Sequence, residues 1–447
     1  MTLLIICPDY ASHLLPLATL GTAWRDSGER VVVATGTAIA PIVESFGFER
    51  VHLQLGKGSN PGVIRPEDQP EGEDDALRGF FDATRSGMVD TLAFQAEARL
   101  SDFMWEPVRV ARAVQAVVQS VAPDAIIVDH LAFSSRLALD AAGTSYADVL
   151  VGHPSALPLA GEVYGFPPAW PAAFQPDSGD LRALRELCDR VSESFTAEWN
   201  AALAELNPSA TPSANAFAEH GELLMLNYPE ELADDARKKA LPNHVFLGSS
   251  VREEAPDAEV EAWLASSDEP FVYVSFGSFL SVRTDVTEKV VRALESLGVR
   301  VGLALGSGDR RDLGDLPDGW LVREFLPQVR LLGSAAAAVT HGGNNSVTEA
   351  VTFGVPLVVL PFSTDQFAGA EAIEREGFGV ALAPNEVTVA ELEAAIADAL
   401  ALPRARRDGL ALSLRQAPGS ARAFTAMSGW DSSTSARIAS ISPAAAL

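Results

Sequence analysis

The sequence predicts a doubly wound α/β protein built as two facing parallel-sheet halves with a cleft between them. Near-continuous apolar runs alternate along the chain with longer stretches of helical spacing, the pattern of a parallel sheet covered on both faces. That alternation starts twice, at the N-terminus and again after a polar, proline-punctuated stretch near residue 250. With 447 residues the chain is also too long for one ordinary hydrophobic core.

The first series opens with LLIIC (3–7) as a buried strand, LLPLATLGTAWRDSG (14–28) as an amphipathic helix ending at a glycine, and RVVVATG (30–36) as the next strand. Together these make a βαβ unit. Residues 54–75 are rich in Gly, Pro and acidic residues and have no periodicity, so they read as a long functional loop. DAIIVD (124–129) is a further strand, SSRLALDAAG a helix and YADVLVG (146–152) a strand; 156–176, with interleaved prolines and aromatics, reads as a second long loop. ELLMLNYPEEL (222–232) and HVFLGSS (244–250) close the series.

The second series runs through the strands FVYVSFGSF (271–279), VRVGLALG, WLVREF, AAAAVTHGG and VPLVVLPF, with TEKVVRALESLG (287–298) as a helix. The expected division is therefore residues 1–240, a linker at 241–262, residues 263–423, and a Ser- and Ala-rich tail at 424–447. That tail reads as disordered or loosely docked. In such sheets ligand lies at the carboxyl ends of the strands.

A formal charge of −27 removes nucleic acid and anionic membrane surfaces from the expected partners, because both need a basic footprint. The longest apolar runs fall well short of the roughly 20 residues that span a bilayer. The N-terminal MTLLIICPDY has no basic residue before its apolar run and reads as a buried strand rather than a signal peptide. Cys7 and Cys188 have neither metal-ligand spacing nor a framework role, so a reducing cytoplasm is expected. No metal cluster and no resident cofactor is expected either.

The stretch THGGNNSVTEA, Thr340 to Ala350, carries the clearest chemistry. Gly342 and Gly343 permit a tight turn and close approach of a ligand to the backbone. The helix that follows, starting near Asn344 or Asn345, points its free N–H groups at whatever sits in the turn. Ser346 and His341 add side-chain donors, so a diphosphate can be held without a lysine or a metal. Glu349, one turn beyond Ser346, is placed to accept from ribose hydroxyls. The same residues also fit an ordinary glycine-rich turn with an asparagine cap.

Flanked by REFLPQ (323–328) and FGVPLVVLPFSTDQ (353–366), this stretch resembles the donor-binding signature of family 1 glycosyltransferases. These are nucleotide-sugar-dependent enzymes of the GT-B fold, and bacterial natural-product members are the nearest in character. The resemblance implies roles residue by residue. Phe325 is the aromatic that stacks on the donor base; Gln328 and Glu349 contact the ribose. His341 and Ser346, with backbone at Gly343 and Asn345, contact the diphosphate, and Ser278 lies near phosphate or sugar. Asp365 and Gln366 read the sugar hydroxyls, which points to glucose on UDP, with a dTDP-deoxysugar as the alternative. Asn344 stands where plant members often carry Trp.

In PDYASHLLPLA, His13 sits at the carboxyl end of the first strand, and the phrase resembles the family's G-H-x-x-P-x-x-P-L-A with Ser12 in place of Gly. The resemblance makes His13 the general base and Asp129, ending DAIIVD, its orienting carboxylate. His130 is expected to point away. The expected co-substrates are a UDP- or dTDP-sugar and a hydrophobic small-molecule hydroxyl acceptor. Phe81, His153 and Trp170 are the acceptor-pocket candidates, each with a structural role as the alternative. An epimerase or hydrolase on the same fold, and a ligand-binding protein without turnover, remain as rivals. An NAD-dependent oxidoreductase is disfavoured because CPDYASH lacks any glycine.

Overall fold

The computed structural model describes residues 1–62, 73–100, 104–403 and 405–428, with backbone alone at 73–76, 278–279 and 405–406. Among these residues the first half contains β1 Thr2–Ile6, β2 Arg30–Thr35, β3 Glu49–His52, β4 Ala125–Asp129, β5 Ala147–Leu150, β6 Leu223–Leu226 and β7 His244–Phe246. They form one sheet in the order β3-β2-β1-β4-β5-β6-β7, every described pairing parallel. The second half contains β8 Phe271–Ser275, β9 Arg300–Ala304, β10 Leu321–Arg323, β11 Ala337–Thr340, β12 Leu357–Val359 and β13 Gly379–Ala381, in the parallel order β10-β9-β8-β11-β12-β13.

The central strands β1, β4 and β8 are apolar and buried nearly end to end, because helices cover both faces of each sheet. In each sheet the strand order reverses once, between β1 and β4 in the first and between β8 and β11 in the second. A reversal of this kind opens a crevice beyond the strand ends, where ligand binds.

The helix Ala11–Asp26 packs Leu14, Leu17, Leu20 and Trp24 against the β1 and β2 side of the first sheet. The helix Gly419–Ser428 joins the same core through Ala423 and Met427, and Phe424 meets Trp24 edge-on at 5.0 Å between ring centroids. The chain has therefore returned to the first half before residue 419. Residues 424–428 belong to a packed helix rather than a loose tail, and 429–447 lie outside the described residues. Trp24 is 1% exposed, so Trp24→Ala is expected to cost about 3–5 kcal/mol of stability. Denaturation followed by circular dichroism measures this, and an unchanged midpoint contradicts it.

Several helices went unread in the sequence, and three of them bear on the cleft. Ser178–Leu206 is a 29-residue helix whose Leu184, Leu187, Cys188, Val191 and Phe195 form one buried stripe. Glu73–Ser86 and Met88–Arg99 follow the expected first loop and take up its last three residues; its 54–62 portion is irregular, as expected, and its 63–72 portion lies outside the described residues. The first of these helices reaches across the cleft. Phe80 and Phe81 pack in the core of the second half with Phe276, Leu280 and Leu305, and Arg283, 1% exposed, donates to the Thr84 carbonyl at 3.0 Å.

Candidate active site

A cavity of about 550 Å³ lies between the two halves, where the reversal points of both sheets face each other. Its size suits a small-molecule site. On the first-half side the chain leaves β1 through CPDYASH. There the Asp9 carboxylate accepts from the N–H groups of Ala38 and Ile39 and pins the turn to the segment after β2. The helix begins at Ala11, so His13 stands in its first turn rather than ahead of it.

His13 Nδ1 lies 2.7 Å from Asp129 Oδ2, with the carboxylate fully buried and the imidazole one-fifth exposed to the cavity. Asp129 Oδ1 accepts from the Leu131 N–H at 2.8 Å, which fixes the carboxylate's orientation. Nδ1 donates to Asp129, and this leaves Nε2 as the basic atom of the ring. Burial alone would lower the pKa of His13. The charge and hydrogen bond of Asp129, with a further contribution from Asp365, outweigh burial and raise it above the ordinary 6.5.

The opposite wall comes from the second half. Gly342 has φ +84°, and a Cβ there would lie 2.7 Å from Val359 Cγ1, so both conformation and space demand glycine. The helix Asn344–Thr352 starts directly after this turn, with Gly343 as its cap, and no side chain caps it. Its first N–H groups therefore have no intrahelical acceptor. His341, Gly343, Asn345 and Ser346 all line the cavity around that terminus. Burial pulls the His341 imidazole down to about 4, against the opposing effect of the Ser275 backbone, so it is neutral near pH 7. Gly277, at φ +71°, brings the turn after β8 against the His341 ring, where a Cβ would sit 2.9 Å from Cε1.

Deeper along this wall Phe325 is 63% exposed, an aromatic face left open at the cavity. Beside it runs a chain of polar contacts. Ser346 Oγ donates to Gln328 Oε1 at 3.3 Å, and Gln328 Nε2 donates to Glu349 Oε2 at 2.7 Å. Arg252 donates to Glu349 Oε1 at 2.8 Å and to Glu254 Oε1 at 2.5 Å. Glu349 is 3% exposed, and burial raises its carboxyl above the usual range against the opposing effect of Arg252 and Gln328.

Of the expected site residues, the fold brings His13, Phe325, Gln328, His341, Gly343, Asn345, Ser346 and Asp365 to one cavity, with Asp129 directly behind His13. Others stand elsewhere. Glu349 lies behind Gln328 and Arg252 and does not line the cavity. Gln366 uses its amide to close its own loop, accepting from Phe362 and Ser363 N–H groups and donating to Ser363 Oγ. Ser278 falls in a short helix, Gly277–Leu280, not at a strand end, and its side chain is outside the described residues.

The three acceptor-pocket candidates do not line the cavity. Phe81 packs, partly buried, against the second half's core. Trp170 packs beside Phe166 in the cluster around the long helix. His153 is 8% exposed and hydrogen-bonded to Ser155, with burial lowering its pKa to about 3. The apolar wall is instead built by Leu131, Ala156, Tyr164, Phe166 and Pro167.

Sequence reasoning missed Arg252, hidden in VREEAPDAE, whose only readable signal was polarity. It also set aside His130. That residue forms a second buried pair with Asp148, Nδ1 to Oδ2 at 2.8 Å, in the wall next to Asp129.

Comparison with known proteins identifies the family. The model of the UDP-glucoronosyl and UDP-glucosyl transferase family matches residues 184–414, more than half of the chain. The chain belongs to this family. The NDP-glycosyltransferase YjiC of Bacillus subtilis is 23% identical over 396 residues, 88% of this chain and 87% of its own length. The protein named uncharacterized UDP-glucosyltransferase YojK, also from Bacillus subtilis, is 29% identical over 158 residues, 35% of this chain; the match spans 39% of YojK. The solved structure of the glycosyltransferase VinC in complex with dTDP superimposes with a TM-score of 0.65 at 18% identity, over 98% of this chain and 100% of VinC. That likeness establishes the GT-B fold for this family member.

Proposed function

We propose that this glycosyltransferase moves a sugar from a nucleoside diphosphate to a hydroxyl of a hydrophobic small molecule, with inversion at the anomeric carbon. One observation carries the reading: the His13–Asp129 pair and the uncapped N-terminus of Asn344–Thr352 lie on opposite walls of one cavity. In the proposed reaction the donor base stacks on Phe325 and the diphosphate meets His341, Ser346 and the helix N–H groups. The acceptor's apolar body lies against Leu131, Tyr164 and Phe166.

His13 Nε2 takes the acceptor's O–H proton as that oxygen attacks the anomeric carbon. The bond from that carbon to the diphosphate oxygen breaks, and its electron pair leaves on the diphosphate. The helix N-terminus stabilises the departing charge because its N–H groups are already oriented before the reaction. Asp129 holds the imidazole in the required tautomer and stabilises the imidazolium that forms.

UDP-glucose is the first donor reading, in keeping with the UDP-glucosyl relatives. A dTDP-deoxysugar is the second, and the state of the sugar-reading pair favours it: Gln366 is engaged in its loop, and Asp365 accepts from His153 N and Thr364 Oγ1. A sugar with fewer hydroxyls leaves fewer groups for that pair to satisfy. The test incubates the protein with UDP-glucose and dTDP-sugars against hydrophobic phenols and macrolides, with products read by mass. Product that requires both donor and acceptor is expected. Turnover of the donor equally fast without any acceptor would instead identify a hydrolase or epimerase.

A further inference from the structure

Asn344 opens the helix of the proposed diphosphate cradle, yet its side chain reaches into the other half of the protein. Its Nδ2 donates to the Val151 carbonyl at 2.7 Å and to the Asn227 carbonyl at 2.9 Å. Val151 follows β5 and Asn227 follows β6, which are neighbouring parallel strands. One primary amide thus uses both of its hydrogens to bridge the carboxyl ends of two first-half strands. Val151 is 8% and Asn227 1% exposed, so these carbonyls meet a protein donor at a place where water reaches poorly.

Two further contacts cross the cleft in the same place. Asn345 Nδ2 donates to the carbonyl of Ser12 at 2.9 Å, one residue before His13. The His153 N–H donates to Asp365 Oδ2 at 2.7 Å. Between Val151 and His153 the backbone passes so close to Asp365 that a Cβ on Gly152 would lie 2.8 Å from the carboxylate. The turn that follows β5 is therefore clasped by two separate loops of the second half, one at the proposed diphosphate and one at the proposed sugar.

We propose that Asn344 is a positioning residue for glycosyl transfer. Its amide seats the N-terminus of Asn344–Thr352 against the ends of β5 and β6, and this fixes the spacing between His13 and the leaving diphosphate. The role rests on the transfer reaction proposed above. Asn344 acts through the placement of its helix; it does not touch the reacting atoms. Small misplacements of reacting groups are costly, so a single bridging amide has a large effect on rate and little on ground-state binding.

The test is Asn344→Leu, which keeps the side chain's size, adds no charge beside the proposed diphosphate and removes both N–H donors from the two carbonyls. Expected is a fall in kcat of about 10²-fold, unchanged affinity for UDP and dTDP by calorimetry, and a larger radius of gyration by small-angle scattering. Asn344→Gln, which retains the two donors on a longer arm, is expected to recover part of kcat and to serve if the leucine variant misfolds. Wild-type kcat in Asn344→Leu, or nucleotide affinity lost in proportion to kcat, overturns the proposal. Should the wild-type protein transfer from no sugar nucleotide, the function reading fails by itself. The scattering comparison still decides the clasp, and identical radii would overturn it.

Discussion

Replacing His13 with alanine is expected to lower glycosyl transfer by about 10²–10⁴-fold, the range a positioned general base supplies. Nucleoside diphosphate affinity should stay unchanged. The two effects separate because the groups come from different halves of the chain: His13 from the helix after β1, and the proposed cradle from the helix after β11. The variant is also expected to fold, because Asp129 Oδ1 keeps its hydrogen bond from the Leu131 N–H when the imidazole is gone. Turnover measured beside calorimetric titration with UDP and dTDP gives both quantities. Wild-type turnover would remove His13 from the reaction, and lost nucleotide affinity would place it among the donor contacts instead.

Asp129→Asn is expected to have the second large effect, up to about 10⁴-fold, the size that the same exchange has in a Ser–His–Asp triad. The substitution preserves shape, and the new side-chain oxygen can still accept from Leu131. Its NH₂ group then faces His13 Nδ1 and forces the ring proton onto Nε2, the atom that must be free to accept. The pH profile should move as well. In the wild type the base is active when neutral, so the rate falls as pH drops through the pKa of His13. That pKa is raised above 6.5 because Asp129 and Asp365 together outweigh the effect of burial. The acid limb is therefore expected above pH 6.5. In Asp129→Asn burial is opposed by Asp365 alone, and the limb should shift to lower pH. A limb that stays in place would show that the titrating group is not His13.

The parts of this site that were legible in the sequence are those set by local pattern. Buried strands announce themselves as apolar runs, and the residues just beyond them, His13, Asp129 and His341–Ser346, fall at strand ends wherever the sheet is parallel. The parts that were not legible depend on which distant segments meet. Asn344 and Val151 are 193 positions apart, and nothing near either residue signals their contact. Arg252 looked like a linker charge because its partners, Glu349 and Glu254, come together only once the second half has folded around them. Gln366 was assigned to the sugar from its place in the signature, but the turn at Ser363 consumes its hydrogen-bonding groups. Phe81 was an acceptor-pocket candidate with a core role as the alternative, because an aromatic residue near a long irregular stretch gives no indication of direction. It packs, partly buried, against the core of the second half.

The anomeric configuration of the product tests the central claim most directly. With the proposed base on one wall of the cavity and the diphosphate on the other, attack and departure occur on opposite faces of the sugar, in one step. Proton NMR of the product formed from an α-linked sugar nucleotide should therefore show a β-linkage. An α-linked product would require a second nucleophile or same-face attack, and would contradict the assignment of His13 and the Asn344–Thr352 helix to opposite sides of a single displacement.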